Sequence, residues 1–338
     1  MALESPLSIW TVTDGRAGIE NQALGLAEAI QRLTPAEITV KRVRFRSLFD
    51  RWPNALRIAP DAMLTADSDR IGPPFPDLVI ANGRASLPFS TRLKHRSGGR
   101  TFVVQLQDPR TSLTDFDLVI PPLHDGLTGP NVLAILGSPN RITPERLVEG
   151  AGSFREAFAG LPQPRVAVLI GGRSRSHDLG AERAQVLADQ IAEAVTDTGG
   201  SLMMTFSRRT PVAARAILTS RLAALPGMIW DGEGPNPYFA FLDLADHILV
   251  TEDSVNMATE AAATGKPVQI LGLDGSSPKI EGLHAALQAR GIARPFAGRL
   301  ETWTYAPLNE TDRAAREVLA RMRARAQADK PHTRHPTP

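Results

Sequence analysis

Cysteine does not occur anywhere in the 338 residues. Its absence excludes disulfides, thiolate metal sites and a cysteine nucleophile together, and it fits a reducing compartment. Aromatics are scarce at 5%, so the cores must be built mainly from Ala, Leu, Val and Ile. Lysine is nearly missing as well. Of 38 basic residues only Lys41, Lys94, Lys266, Lys279 and Lys330 are lysines, and the rest are arginines. Codon bias in a GC-rich genome accounts for such a balance, while the planar guanidinium also suits bidentate recognition of phosphate and carboxylate. No apolar run approaches the roughly 18 residues a membrane-spanning helix needs. The start, MALESPLSIW, has neither a basic n-region nor an apolar h-region, so no secretory signal is read. HExxH, HxxxH, GxSxG, Walker A and GxGxxG patterns are also missing, which leaves zincin, hydrolase-elbow, P-loop and dinucleotide chemistry without support.

What is present is ordinary globular material. Hydrophobic content is 42%, charged content 22% and formal net charge +2, and a chain of this length exceeds what one core usually serves. Two domains are expected. Basic clusters at Arg42, Arg44, Arg46 and Arg51, at Arg92, Lys94, His95, Arg96 and Arg100, and at Arg313, Arg316, Arg321, Arg323 and Arg325 are read as carrying no interleaved aromatics. They read as solvated faces rather than a nucleic-acid surface, and no nucleic-acid partner is expected. A cytoplasmic chain is expected, peripheral at the inner membrane if it meets a membrane at all.

The pattern along the chain alternates strand and helix. Residues 8–13 (SIWTVT), 38–43, 77–81 (DLVIA), 100–106 (RTFVVQL) and 117–120 (DLVI) read as strands, with 131–136 a candidate closing strand and an amphipathic helix over 21–33. Residues 150–164 (GAGSFREAFAGLPQP) shift to Gly, Ala and Pro and mark a boundary. The alternation then restarts: strands at 165–170, 201–206, 228–230, 247–250 and 267–271, helices at 184–195, 211–222, 236–244 and 254–264. The expected organisation is a Rossmann-like domain over 1–150, a second over 151–310, and a basic helix with a disordered tail over 311–338. Strands separated by helices argue for doubly wound parallel sheets, so the fold class is α/β with two Rossmann-like domains.

In such sheets ligands bind beyond the carboxyl ends of the strands, and polar residues gather there. In the second half, Gly171, Gly172 and Arg173 follow one strand, Ser207 and Arg208 another, and Asp253 and Ser254 a third. Glycines permit close backbone approach, Ser254 can cap a helix whose free N–H groups favour a diphosphate, and Arg173, Arg175, Arg208 and Arg209 can neutralise it without metal. Glu260, six residues after Ser254, can accept two hydrogen bonds from a ribose diol. The plainer reading is an ordinary αβ unit with a good cap and a solvated Glu. In the first half, Asp14, Gly15, Arg16 and Gln22, then Asn82, then Gln107 and Asp108, then His124 and Asp125 occupy the equivalent strand ends. They read either as ligand-facing loops or as turns. A His beside a carboxylate can act as a general base.

Taken together, WTVTDGRAGIENQALGLAEAI, LVIANGR, QLQDPR, VIPPLHDG, GPNVLAILGSPNRIT, VLIGGRSRSH and VTEDSVNMATEAAATGKPV resemble the elongated-mitochondria fission-factor family over nearly the whole chain. That family is similar in turn to glycosyltransferases of the GT-B type. The resemblance implies a nucleotide-sugar as substrate, no cofactor and no metal. Gly171, Gly172, Arg173, Ser207, Arg208, Asp253, Ser254 and Glu260 would form its site, with Glu260 in the ribose role. Asp14, Asp108 or His124 would be the base, and Gly15, Arg16, Gln22, Asn82, Gln107 and Asp125 the acceptor side. The implied activity is an inverting, metal-independent transfer to an unknown acceptor, which could be membrane-associated. Against this stands a non-catalytic recruitment protein with a basic face, the helix over 312–326, toward anionic lipid. A sugar-nucleotide epimerase dependent on NAD is a third option. It lacks both GxGxxG and a Tyr-x-x-x-Lys pair, since Tyr238 and Tyr305 are the only tyrosines.

Overall fold

The computed structural model describes residues 5–50, 52–53, 56–57 and 59–328. The backbone separates into two compact units: the chain up to Arg141 together with the part from Glu310 onward, and Ile142–Asn309.

The first unit contains β1 (Leu7–Thr13), α1 (Ala17–Leu33), β2 (Ala36–Arg42), α2 (Ser47–Asp50), β3 (Leu78–Asn82), α3 (Leu87–Arg96), β4 (Phe102–Leu106) and β5 (Leu118–Ile120). The strands form one parallel sheet in the order β2-β1-β3-β4-β5. Strand periodicity divides the side chains between two cores. Ile9, Leu78, Ile80, Val104 and Leu106 lie under α1, whereas Val12, Val79, Ala81 and Val103 lie under α3 and the excursion between β2 and β3. Helix α1 buries Ala23, Leu26, Ala27 and Ile30, and each fully buried Leu or Ile contributes about 1.5–3 kcal/mol. Gly25 on this helix is required, because a Cβ there would sit 2.4 Å from the carbonyl oxygen of Asn140.

The second unit contains α4 (Pro144–Ala151), α5 (Arg155–Phe158), β6 (Arg165–Ile170), β7 (His177–Asp178), α6 (Ala181–Asp197), β8 (Ser201–Phe206), α7 (Val212–Leu222), β9 (Gly227–Ile229) and α8 (Tyr238–Leu244). It continues with β10 (His247–Thr251), α9 (Val255–Ala262), β11 (Val268–Leu271), β12 (Asp274–Gly275), α10 (Pro278–Ala289) and β13 (Ala293–Pro295). Six strands form a parallel sheet ordered β13-β11-β10-β6-β8-β9. β7 and β12 pair antiparallel as a separate ribbon. The central strands β6 and β10 are almost wholly buried, which is why they read as continuous apolar runs.

The chain then returns to the first unit with α11 (Glu310–Ala328). Its Ala314, Ala315, Val318 and Leu319 pack into the core beneath α1. The sequence reading set 311–338 apart; the compact units instead divide at Arg141 and Asn309, and residues 329–338 of that tail lie outside the described residues.

Several expected elements are corrected. Residues 131–136 do not add a strand: only isolated bridges join Val119 to Val132 and Pro122 to Ile135. Helix α1 begins at Ala17 rather than residue 21, which confines the β1–α1 loop to Asp14, Gly15 and Arg16. Pro211 precedes α7 as its N-cap instead of sitting in its first turn. Helix α10 and strand β13 had no counterpart in the sequence reading. No helix among the described residues is long and apolar enough to cross a membrane.

Candidate functional site

Strand order reverses between β6 and β10 in the second sheet, and the carboxyl ends of those two strands mark the switch point. Open α/β sheets bind ligands in such a crevice. Asp253 sits at its centre with a fully buried carboxylate. The Thr251 hydroxyl donates to Oδ1 (2.8 Å), the Gly172 N–H donates to Oδ2 (3.2 Å), and the Arg209 guanidinium pairs with Oδ2 at 2.7 Å. The Gly171 N–H in turn donates to Thr251 Oγ1 (2.7 Å). A Cβ on Gly171 would come 2.1 Å from Asp253 Oδ1, and one on Gly172 (φ +148°) 2.5 Å from the Arg209 carbonyl. These glycines therefore admit a neighbouring loop rather than a ligand. Nothing in the one-dimensional pattern distinguishes the two uses.

The same knitting takes up Ser207, whose hydroxyl donates to the Gly171 carbonyl (2.8 Å) and accepts from the Arg209 N–H (3.1 Å). Arg173 is paired with Asp178 at 3.0 Å, and this hydrogen-bonded guanidinium holds the Asp178 carboxyl below the usual carboxylate range. Gly171, Gly172, Ser207 and Asp253 thus frame the candidate site, and Arg173 and Arg209, though exposed, are paired with Asp178 and Asp253 instead of forming a free cationic rim. Arg175 and Arg208 remain exposed.

Ser254 caps α9, its Oγ accepting from the Met257 N–H at 3.4 Å. The first turn of α9 presents N–H groups that lack partners within the helix, and with the helix dipole these attract an anion. Farther along α9, Glu260 accepts a hydrogen bond at Oε2 from the Tyr238 hydroxyl. Its Oε1 takes no hydrogen bond among the described residues. Burial raises the Glu260 carboxyl to about 7, with the Tyr238 hydrogen bond acting in the opposite direction. Tyr238, desolvated and facing that carboxylate, is pushed well above the ordinary phenol range. Sequence reasoning missed Tyr238, because nothing in the spacing of residues 238 and 260 couples them.

In the first unit strand order reverses between β1 and β3. Here Gln22, Asn82 and Gln107 come together. Gln22 Oε1 accepts from Asn82 Nδ2 (2.9 Å) and from Gln107 Nε2 (3.0 Å), and Asn82 Nδ2 also reaches the Ile19 carbonyl (2.9 Å). Both partners of Nδ2 are acceptors, so the amide orientation is fixed. Asn82 Oδ1 is left buried with no partner among the described residues. Gln107 and Arg110 adopt positive φ (64° and 52°), a cost that concentrates at functional loops. The carboxylate of Asp14 accepts from the Arg16 backbone N–H (3.0 Å) and from its guanidinium (2.7 Å). Gly15 packs beside Arg42 and Arg44. Asp108 Oδ1 accepts from the Arg110 N–H (2.8 Å), while His124 and Asp125 share one 3-10 turn, Leu123–Asp125.

The mitochondrial fission ELM1 family matches residues 17–322. The chain is also 34% identical to the mitochondrial fission protein ELM1 of Arabidopsis thaliana over 277 residues, 74% of this chain and 65% of that protein. The chain belongs to the mitochondrial fission ELM1 family. It spans 65% of the length of that relative.

The ELM1-family chain carries the fold of GT-B epimerases and glycosyltransferases. A UDP-GlcNAc 2-epimerase of Methanocaldococcus jannaschii, solved with UDP-GlcNAc and UDP, superposes with TM-score 0.54 at 14% identity, covering 93% of this chain and 99% of its own. A UDP-glucosyltransferase of Polygonum tinctorium gives 0.52 at 12% identity, covering 97% and 95%. At such identities the likeness concerns the fold.

Proposed function

We propose that this ELM1-family chain is a GT-B-type glycosyltransferase whose second unit holds the nucleotide sugar. The observation that carries the reading is the β6/β10 reversal, where the loop after β10 leads into the N-terminus of α9, with exposed Arg175 and Arg208 in the segments that follow β6 and β8 and Glu260 farther along α9. Helix N–H groups and arginines stabilise the charge that develops on a leaving diphosphate, and the transfer is inverting and metal-independent. Glu260 Oε1 accepts from the ribose. That the superposed epimerase was solved with UDP-GlcNAc and the other neighbour is a UDP-glucosyltransferase makes UDP the first nucleotide to try.

The acceptor belongs to the first unit, where the Gln22–Asn82–Gln107 amides offer hydrogen bonds to neutral hydroxyl or amide groups. Asp14, Asp108 and His124 are the candidate bases. Both Asp14 oxygens are engaged by Arg16, and one Asp108 oxygen accepts from the Arg110 N–H.

Calorimetric titration with UDP, GDP and CMP tests the donor site. Micromolar binding of one nucleotide, lost in Glu260→Ala, supports it. Binding of none sinks the transferase reading and favours the recruitment protein.

A further inference from the structure

Glu260 and Tyr238 lie on different helices and meet through a single hydrogen bond. Tyr238 opens α8, its backbone N–H bound to Asn236 Oδ1 at 3.0 Å and its ring edge-on to Phe239. The hydroxyl is thereby fixed in place, and it is spent on one carboxylate oxygen. The other oxygen has no partner among the described residues. A carboxylate offers about four lone-pair sites, and a vicinal diol needs two acceptors in a fixed direction.

We infer that Tyr238 is the positioning residue of a ribose subsite: its hydroxyl clamps Glu260 Oε2 and leaves Oε1 aimed for the 2′- and 3′-hydroxyls of a ribonucleotide. The inference rests on the donor-site reading above and deepens it, since it commits the site to ribonucleotides over deoxyribonucleotides. It also makes that preference depend on pH. An ionised carboxylate accepts both diol hydrogen bonds, and a protonated one loses acceptor capacity.

Among the described residues, several titratable groups stand on the elements around Glu260, including Tyr305, whose hydroxyl donates to the carbonyls of Ala261 on α9 and of Lys266. From α8 comes Tyr238 itself. The other charge on α8, Asp243, is paired with Arg155 of α5 at 2.6 Å. Lys266, just beyond α9, donates its ammonium to the carbonyls of Leu242 and Asp243. Arg146 of α4 stacks over the Phe239 ring at 5.3 Å. At the start of α9, Asp253 is neutralised by Arg209. Burial with the Tyr238 hydrogen bond therefore governs the Glu260 proton, and the bond favours the ionised form. Removing it moves the titration upward.

The test is titration of the full chain with UDP and 2′-deoxy-UDP (GDP and 2′-deoxy-GDP if guanine is the preferred base) between pH 5.5 and 9. The wild type should favour the ribonucleotide about tenfold at pH 8.5, and the preference should fade as pH falls through about 7. Tyr238→Phe should move the midpoint of that fade upward and weaken ribonucleotide binding several-fold at pH 7, recovering at pH 8.5. Glu260→Gln should remove the pH dependence. A Tyr238→Phe midpoint equal to wild type overturns the inference. So does a loss of equal size at every pH and for both nucleotides, which is what a loosened fold would give.

The unsubstituted chain gives a second measurement that does not depend on the variant folding. Only two tyrosines occur, so 3-fluorotyrosine labelling yields two fluorine resonances. The Tyr238 resonance should titrate with Glu260 near pH 7 and move on adding UDP but not 2′-deoxy-UDP. A resonance that ignores both overturns the inference. A wild type that binds UDP normally while failing these tests leaves the donor site standing, whereas one that binds no nucleotide removes both.

Discussion

The two sheets reverse strand order at different points and line the reversal with different chemistry. In the first unit the β1/β3 crevice is lined by neutral amides, Gln22, Asn82 and Gln107, with a buried Asn82 carbonyl that has no partner among the described residues. In the second the β6/β10 crevice is walled by the buried Asp253 carboxylate with its half-exposed partner Arg209 and opened by the N-terminus of α9. Neutral amides match a neutral, hydroxyl-bearing ligand. A helix N-terminus with exposed arginines matches an anion. The same topological device thus presents two different chemistries, and the difference lies in a handful of loop side chains.

The sharpest way to break this comparison is to crowd each crevice by one methyl group. Gly171→Ala in the second unit places a Cβ 2.1 Å from Asp253 Oδ1. The carboxylate must move, and its bonds to Gly172, Thr251 and Arg209 go with it. Overpacking plus a displaced buried charge should cost about 3–5 kcal/mol in urea unfolding, with loss of UDP binding. Gly83→Ala in the first unit meets only an Ile19 methyl at 3.1 Å, at φ +82°, and should cost about 1–2 kcal/mol. Equal losses would mean that the two loops are not built differently.

Glu260 offers a change of opposite sign. Its folded-state pKa is raised from 4.5 to about 7, so the protonated form is favoured on folding. That advantage is fully present below about 4.5 and is lost as pH rises through about 7. The accumulated effect is of order 3 kcal/mol at most. Glu260→Gln should accordingly be more stable than wild type by about 1–3 kcal/mol at pH 8, with the gap closing toward pH 4.5. Thermal or urea melts at both pH values decide it. A gain in stability with a loss of nucleotide binding is what a functional buried carboxylate produces.

How much of this was legible in the sequence follows from what each feature depends on. Strands β6 and β8 were read with their full bounds because buried parallel strands are continuous apolar runs. The candidate strand over 131–136 failed because it makes only single bridges to its neighbours, which no local pattern records. Ser254 was legible as a cap, since capping is local. The Gly171–Asp253 contact spans 82 positions and Tyr238–Glu260 spans 22, so composition and spacing could nominate Gly171, Asp253 and Glu260 without pairing them, and missed Tyr238 altogether. Arg209 was read as a ligand-facing cation because its partner is invisible until the two loops meet.

Gln22 tests the first crevice alone. Gln22→Ala strips the acceptor from Gln107 Nε2 and one of two acceptors from Asn82 Nδ2. Buried donors left unpaired cost about 1–3 kcal/mol, so a destabilisation near 2 kcal/mol is expected, with nucleotide affinity unchanged. A drop in UDP affinity would show that the amide cluster supports the second unit's site, and the division of labour between the crevices would fail.

The smallest expected effect lies on α11, where the recruitment reading placed its basic face. Arg313 donates to the Ala134 carbonyl and pairs with Glu310, Arg321 donates to the Pro130 carbonyl and pairs with Glu317, and Arg325 reaches Asp117. These three arginines fasten the helix to the first unit, while Arg316 and Arg323 stay exposed. Two charges at about 1 kcal/mol each give weak attraction to an anionic surface. Arg316→Glu with Arg323→Glu should therefore change stability by no more than about 0.5 kcal/mol. Co-sedimentation with phosphatidylserine vesicles should differ little between wild type and variant. Strong retention of the wild type, abolished in the variant, would mean that this helix works as a membrane face despite its internal bonds, and the recruitment reading would gain over the proposed transferase.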